Sequence, residues 1–290
     1  MSPVVLIVEY LGAAFHGWQR QEGLPTVQAV LEDAVARLLG CAVPLRTSSR
    51  TDAGVHGEAH PAMLMPPRDL PLAAYLRGLG SLLPAELSVL QVARAREGFD
   101  VRRDALGKTY RYRIWNGRER RPLEAGRAWH VPQRLDEARM EDAASHLLGE
   151  HDLSSFRAVH CDSVSVYRNV ERITVRREGE LLELRIRANA FLRNMARIIV
   201  GTLVEVGRGA RPPEWIPEVL EARDRTRAGR TAPAHGLYLH RVHYPEGCFA
   251  ELLPVAGPLG DAAVPDGFRK TGTGASLHDP LPGVGGGDDA

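Results

Sequence analysis

The stretch Arg172-Ile173-Thr174-Val175-Arg176-Arg177-Glu178-Gly179-Glu180-Leu181-Leu182-Glu183-Leu184-Arg185-Ile186-Arg187-Ala188 decides the fold class. Arg172–Arg176 and Leu182–Ala188 alternate apolar and charged residues, the two-residue period of strands with one buried face. Gly179 turns the chain between them. A connection that short joins antiparallel strands, because a parallel pair needs a crossover of a dozen or more residues. Upstream, Thr109–Trp115 alternates in the same way, with Tyr110, Tyr112 and Ile114 on one side and Arg111 and Arg113 on the other. Downstream, the pattern predicts a helix over Phe191–Val206, another over Pro213–Ala222 and a final strand over Leu237–Tyr244.

The first part of the chain carries the same theme. Val4–Val8 is a β-branched run suited to a buried strand. Thr26 opens a helix that places Val27, Val30, Leu31, Ala34, Val35, Leu38 and Leu39 on one face and stops at Gly40. An extended stretch near Val43–Thr47 leads into a polar loop, Ser48 to Gly57. Further elements are a helix over Leu72–Leu79, a strand over Leu87–Val92 and an amphipathic helix over Leu135–Leu148, closed by Gly149. Pro61 is expected to weaken a central strand after the polar loop. The reading is α+β: one half over residues 1–98, a second over 99–245, and a tail over 246–290.

That tail holds ten glycines and five prolines in 45 residues and is expected to lack fixed structure. It also carries seven acidic residues against Arg269 and Lys270, a net charge of −5. The formal charge of +1 for the whole chain therefore leaves a body of +6, compatible with an RNA partner. With 290 residues, 44% hydrophobic and 25% charged, the chain has the composition of a soluble globular protein. Val4–Val8 is too short for a signal-peptide core, and no segment approaches the roughly 20 apolar residues of a membrane span. Cys41, Cys161 and Cys248 are odd in number and form no CxxC pair, so neither a disulfide framework nor a zinc site is expected. A reducing cytoplasm is the expected setting.

Chemistry concentrates in Ser49-Arg50-Thr51-Asp52-Ala53-Gly54-Val55-His56-Gly57. This is a carboxylate in a tight loop, with an arginine two residues before it and a glycine free to take an unusual backbone angle. Taken alone, Asp52 is as well explained as a turn or cap residue. His56 lies four residues on, but an imidazole that only orients the loop would look the same. The sequence contains no phosphate-binding loop, no dinucleotide-binding GxGxxG and no His/Cys cluster at metal-ligand spacing. No cofactor is expected.

The segment Arg50-Thr51-Asp52-Ala53-Gly54-Val55-His56 resembles the signature of the tRNA pseudouridine synthase A family. Other family-like segments follow in order between about residues 4 and 245. They include Phe15-His16-Gly17-Trp18-Gln19, Lys108-Thr109-Tyr110-Arg111-Tyr112, Phe191-Leu192-Arg193-Asn194-Met195 with Arg197, and Ala234-His235-Gly236-Leu237-Tyr238-Leu239. The resemblance implies two ferredoxin-like halves sharing an antiparallel sheet, with a central basic cleft. It implies that Asp52 is the catalytic carboxylate, paired with Arg197, and that Tyr110 and Leu237 hold the flipped uracil between them. Arg50 would fill the space the base vacates, and Arg193 would contact substrate. The implied partner is tRNA, modified at uridines 38 to 40 of the anticodon stem-loop by a homodimer. The signature departs from the family at Ser49 and Gly57, where glycine and alanine are usual.

The residues impose their own requirement on that reading. A buried carboxylate needs a cation partner to remain ionised, so Asp52 and Arg197 are expected to form a direct, bidentate pair. Arg20, Arg102, Arg103, Lys108, Arg111 and Arg193 are candidate phosphate contacts. Two other classes would also use these residues. A non-catalytic tRNA-binding protein of the same fold would keep Asp52 for structure, and a hydrolase would pair Asp52 with His56.

Overall fold

The computed structural model describes residues 2–159, Cys161 and 163–254. The β-branched run becomes β1, Val4–Tyr10, whose Val4, Val5, Leu6 and Val8 are fully buried. Each such side chain contributes roughly 1.5–3 kcal/mol through apolar burial. Helix α1, Val27–Leu39, starts where Thr26 accepts a hydrogen bond from the Ala29 amide (3.4 Å) and ends where Gly40 turns left-handed at φ 78°. The chain then forms β2 (Arg46–Thr47), β3 (His56–Leu64), α2 (Leu72–Leu82) and β4 (Leu87–Ala95). After residue 100 come β5 (Gly107–Trp115), β6 (Trp129–His130), α3 (Glu137–Ser145) and β7 (Gly149–Asp152). The hairpin that decided the fold class is β8 (Tyr167–Glu178) and β9 (Leu181–Ala188), followed by α4 (Met195–Gly207), α5 (Trp215–Ala222), β10 (Leu237–His243) and β11 (Phe249–Pro254).

All strands join one sheet in the order β11-β4-β1-β3-β10-β5-β9-β8-β7, with β2 on β3 and β6 on β5. Pairing is antiparallel except β10 with β3 and β5 with β6. The fold is therefore mixed α+β with a large, mostly antiparallel sheet. The parallel junction of β3 and β10 is short, matching only Tyr238 with His56 and Leu239 with Gly57. It joins the first half to the second beside the loop that carries Asp52. Among the described residues no helix is long and apolar enough to cross a membrane.

Three elements differ from the sequence reading. Pro61 lies inside β3, a central strand, opposite Ile7 of β1. In a strand a residue's N and C=O point to the same side, and the Pro61 carbonyl accepts from the Thr47 hydroxyl (2.9 Å), away from β1. Its missing N–H faces the gap where β3 has left β10 and has not yet met β2, so no ladder bond is lost. Second, the stretch expected to lack structure from residue 246 begins with β11, which pairs with β4 and buries Cys248 and Phe249. Phe249 packs on Phe99 and Tyr244, contacts that glycine and proline counts do not register. The rest of the tail, 255–290, lies outside the described residues. Third, α4 starts at Met195, leaving Phe191 to Asn194 ahead of the helix.

Candidate active site

The Asp52 loop is held by a buried chain of hydrogen bonds. Thr47 donates to the Pro61 carbonyl, so its oxygen accepts from His60 Nε2 (2.6 Å). His60 Nδ1 must then be the acceptor, and the Tyr10 hydroxyl donates to it (2.8 Å). That leaves Thr51 to donate to the Tyr10 oxygen (2.8 Å), which fixes the residue just before Asp52. Burial pushes the His60 imidazole down to about 3, with the nearby Lys108 adding to the effect, so the ring is neutral as this order requires. At Gly54, φ 80° closes a tight turn in which the Val55 amide donates to the Asp52 carbonyl (3.1 Å).

The N-terminal motif clamps the same loop from outside. Trp18 donates its amide to the Thr51 carbonyl (3.1 Å) and stacks its ring on His60 at 3.9 Å. Gly17 has φ 88°, and a Cβ there would stand 2.8 Å from the Thr51 carbonyl oxygen. Only glycine fits both the angle and the gap. Gly57 likewise leaves room for the Tyr10 ring, which a Cβ would strike. His56 is structural: Nδ1 accepts from the Gly12 amide (3.1 Å), and Nε2 faces the Gly126 and His235 carbonyls (3.0 and 3.1 Å). Both ring nitrogens are occupied, in keeping with a role in shaping the loop.

The second half brings Arg197 to Asp52. Arg197 lies in the first turn of α4, with Nη1 3.8 Å from Asp52 Oδ2. Its Nε donates to the Ala232 carbonyl (2.7 Å) and its Nη1 to Asn194 Oδ1 (3.0 Å). Gly201 makes this possible, since a Cβ there would collide with the Arg230 carbonyl and push residues 230–232 off the helix. Burial draws the Arg197 guanidinium below its usual range, and the Asp52 charge opposes that shift. The expected partners do meet, but as a single ion pair beyond hydrogen-bond length rather than a bidentate fork. The bonds to Ala232 and Asn194 fix where the guanidinium sits, and in that position it does not present its fork to Asp52.

Tyr110 completes the constellation. On β5 it shares a face with Lys108 and Tyr112, and it is 8% exposed. Its ring meets Phe191 edge to face, centroids 4.7 Å apart. Burial pushes the phenol up to about 12; hydrogen bonding with Ser49 opposes this and the Asp52 charge adds to it. Tyr112 is core, its hydroxyl donating to the Pro233 carbonyl (2.8 Å). Leu237 on β10 pairs with Tyr112, which places it diagonally next to Tyr110 on the same sheet face.

Several basic residues are placed differently from one another. Arg50 is exposed, with no ion pair or side-chain hydrogen bond among the described residues, and Arg193 is exposed just ahead of α4. Arg20 is committed to Glu32 and Asp33 at 2.9 Å each. Arg111 lies on the opposite face of β5, bonded to Glu58 and Glu183. Both are paired with carboxylates in this structure. Lys108 is not a surface cation: its ammonium donates to the Ser48 carbonyl (2.6 Å). Its position two residues before Tyr110 on an alternating strand carried that information in the sequence. Tyr10 and Asn194 fall in family-like segments, but nothing local marked their contacts, and nothing marked His60.

Comparison with known proteins places the chain among sequence relatives. Residues 143–245 match a family model described as tRNA pseudouridine synthase. Over 248 residues the chain is 44% identical to the tRNA pseudouridine synthase A of Myxococcus xanthus, covering 85% of this chain and 94% of that protein. The protein of the same name from Pelobacter propionicus is 44% identical over 244 residues, 84% of this chain and all of its relative. That from Geobacter sulfurreducens is 43% identical over the same length, with the same coverage.

Proposed function

This chain belongs to the tRNA pseudouridine synthase A family and is a tRNA pseudouridine synthase, an isomerase; from that premise we propose that Asp52 is its nucleophile, acting on uridines 38 to 40 of the anticodon stem-loop. In the reaction the N1–C1′ bond breaks, the uracil turns, and C5 bonds to C1′. C5 loses a proton and N1 gains one, so composition is unchanged and no external oxidant or phosphate donor is consumed. A carboxylate serves as nucleophile at a sugar–base bond if it stays ionised where the base displaces water. Arg197 offsets the cost of that charge.

The observation that carries the reading is Asp52, 3.8 Å from a guanidinium it does not hydrogen-bond, beside the phenol of Tyr110. Tyr110 and Leu237 supply an aromatic and an aliphatic face for a base taken out of its stack. A phenol at about 12 is protonated at neutral pH. Part of that shift comes from the Asp52 charge, which disappears once the carboxylate is bonded to substrate. The phenol then releases its proton more readily, so that it can pass that proton on toward N1 and its oxygen can take the one from C5. Arg50, exposed and two residues before Asp52, fills the vacated space in the RNA, and Arg193 meets phosphate on the same rim. The strand order β4-β1-β3-β2 in the first half and β10-β5-β9-β8 in the second supports two ferredoxin-like halves flanking a basic cleft.

The test is to incubate the protein with unmodified tRNA transcripts bearing uridines at 38, 39 and 40 and map pseudouridine at nucleotide resolution. Conversion at those sites, lost in Asp52→Asn with tRNA binding retained, is expected. Normal conversion by Asp52→Asn would remove the nucleophile assignment.

A further inference from the structure

We propose that Asn194 is a positioning residue that holds Arg197 at a stand-off from Asp52, so that the carboxylate is charge-compensated yet keeps its lone pairs free for substrate. Asn194 is one of two non-glycine residues with positive φ among the described residues, at 62°. It occupies the N-cap of α4, yet its side chain makes no capping hydrogen bond. Its Oδ1 instead accepts from Arg197 Nη1 at 3.0 Å. The accepting atom is the amide oxygen because a guanidinium only donates.

Arg197 is thereby pinned at two points, Nε on the Ala232 carbonyl and Nη1 on Asn194. The same Nη1 is the atom nearest Asp52, at 3.8 Å. Nη1 carries two N–H donors; the bond to Asn194 takes one and fixes where the atom sits, and from there the other stops short of Asp52. A bidentate fork between Arg197 and Asp52 would stabilise the resting carboxylate and occupy the oxygens that must reach substrate. Such ground-state binding slows a reaction rather than speeding it. A charge at the observed separation still offsets the cost of ionisation without that penalty. Retaining a left-handed asparagine at this point fits strain kept where the site requires it.

The inference rests on the reading of Asp52 as nucleophile. The experiment measures kcat, KM and Tm of the full chain on a tRNA transcript for Asn194→Gly, Asn194→Asp and Asp52→Asn. Glycine tolerates the backbone angle but removes the acceptor, and aspartate keeps both. Asn194→Gly is expected to retain wild-type Tm and KM while kcat falls about tenfold, and Asn194→Asp to recover most of that loss. Wild-type kcat in Asn194→Gly, a loss confined to KM or tracking Tm, or an aspartate variant no faster than the glycine variant overturns the proposal. An active Asp52→Asn would sink the nucleophile assignment and this inference together. An inactive Asp52→Asn beside a fully active Asn194→Gly would sink this inference alone.

Discussion

The ammonium of Lys108, on the strand that presents Tyr110, donates to the carbonyl of Ser48 at the start of the Asp52 loop, at 2.6 Å. One side chain from the second half of the chain therefore ties down the Asp52 loop of the first. Burial draws this ammonium down to about 8 from an ordinary 10.5, with Arg102 and Arg168 adding repulsion. The unfolded chain consequently binds more protons than the folded one between about pH 8 and 10.5, and stability must rise with pH across that window. Lys108→Met removes the slope; it leaves the Ser48 carbonyl without its donor, which costs about 1–3 kcal/mol, and also removes the buried charge, which offsets that cost near neutrality. Denaturant titrations of both proteins at pH 7.5 and 10 check this; parallel pH responses would contradict it.

His60 acts with the same sign in a more acidic window. Its folded imidazole sits near 3 against an unfolded 6.5, so acidification from pH 6.5 protonates the unfolded chain first. Stability then falls progressively toward pH 3, with a ceiling of roughly 5 kcal/mol from this residue. His60→Asn is expected to be less stable at pH 7, having lost the link from Tyr10 to Thr47, but to show a flatter decline on acidification. An equally steep decline would show that other groups set the acid limit.

Arg197→Lys keeps the charge and discards the planar fork that reaches Ala232 and Asn194 together. Single-turnover rates are expected to drop about a hundredfold, as for loss of an oriented charge in a site, while tRNA affinity changes little. A lysine variant with native rates would mean that positive charge alone suffices.

Tyr110→Phe preserves the ring and its contact with Phe191 but removes the oxygen. If the Tyr110 oxygen takes the C5 proton after giving up its own, turnover falls by about 10²-fold or more, with tRNA binding intact. A replacement of tritium at C5 of uracil by solvent hydrogen that proceeds at the native rate in this variant would reduce Tyr110 to a stacking platform.

Gly17→Ala tests the clamp on the loop. The added methyl meets the Thr51 carbonyl at 2.8 Å with φ at 88°, so the expected cost is about 1–3 kcal/mol. Activity should fall further than thermal stability predicts, because the displaced backbone is the one that carries Asp52. A variant with reduced Tm but native kcat would uncouple the clamp from the site.

Much of this architecture was readable without coordinates because it is governed locally. The Gly179 hairpin, the cap at Thr26, the left-handed stop at Gly40 and the apolar face of α1 depend on neighbours within a few residues. Alternation alone put Tyr110 and Tyr112 on one face. The seven residues from Arg50 to His56 pointed to Asp52 through resemblance, though nothing in their physics separated it from an ordinary turn aspartate. What the tertiary structure alone decided involves groups far apart in the chain. Pro61 is tolerated in a central strand because its empty side falls between β10 and β2, which no local pattern records. Residues 249–254 become a strand because the edge of β4 was open and Phe99 and Tyr244 offered a place for Phe249. The separation of Asp52 from Arg197 depends on a left-handed Asn194, on Gly201 letting residues 230–232 approach, and on a proton order running from Thr47 to Thr51. Periodicity reports which face a side chain takes. The spacing between charges is set by what else has already claimed their hydrogen bonds.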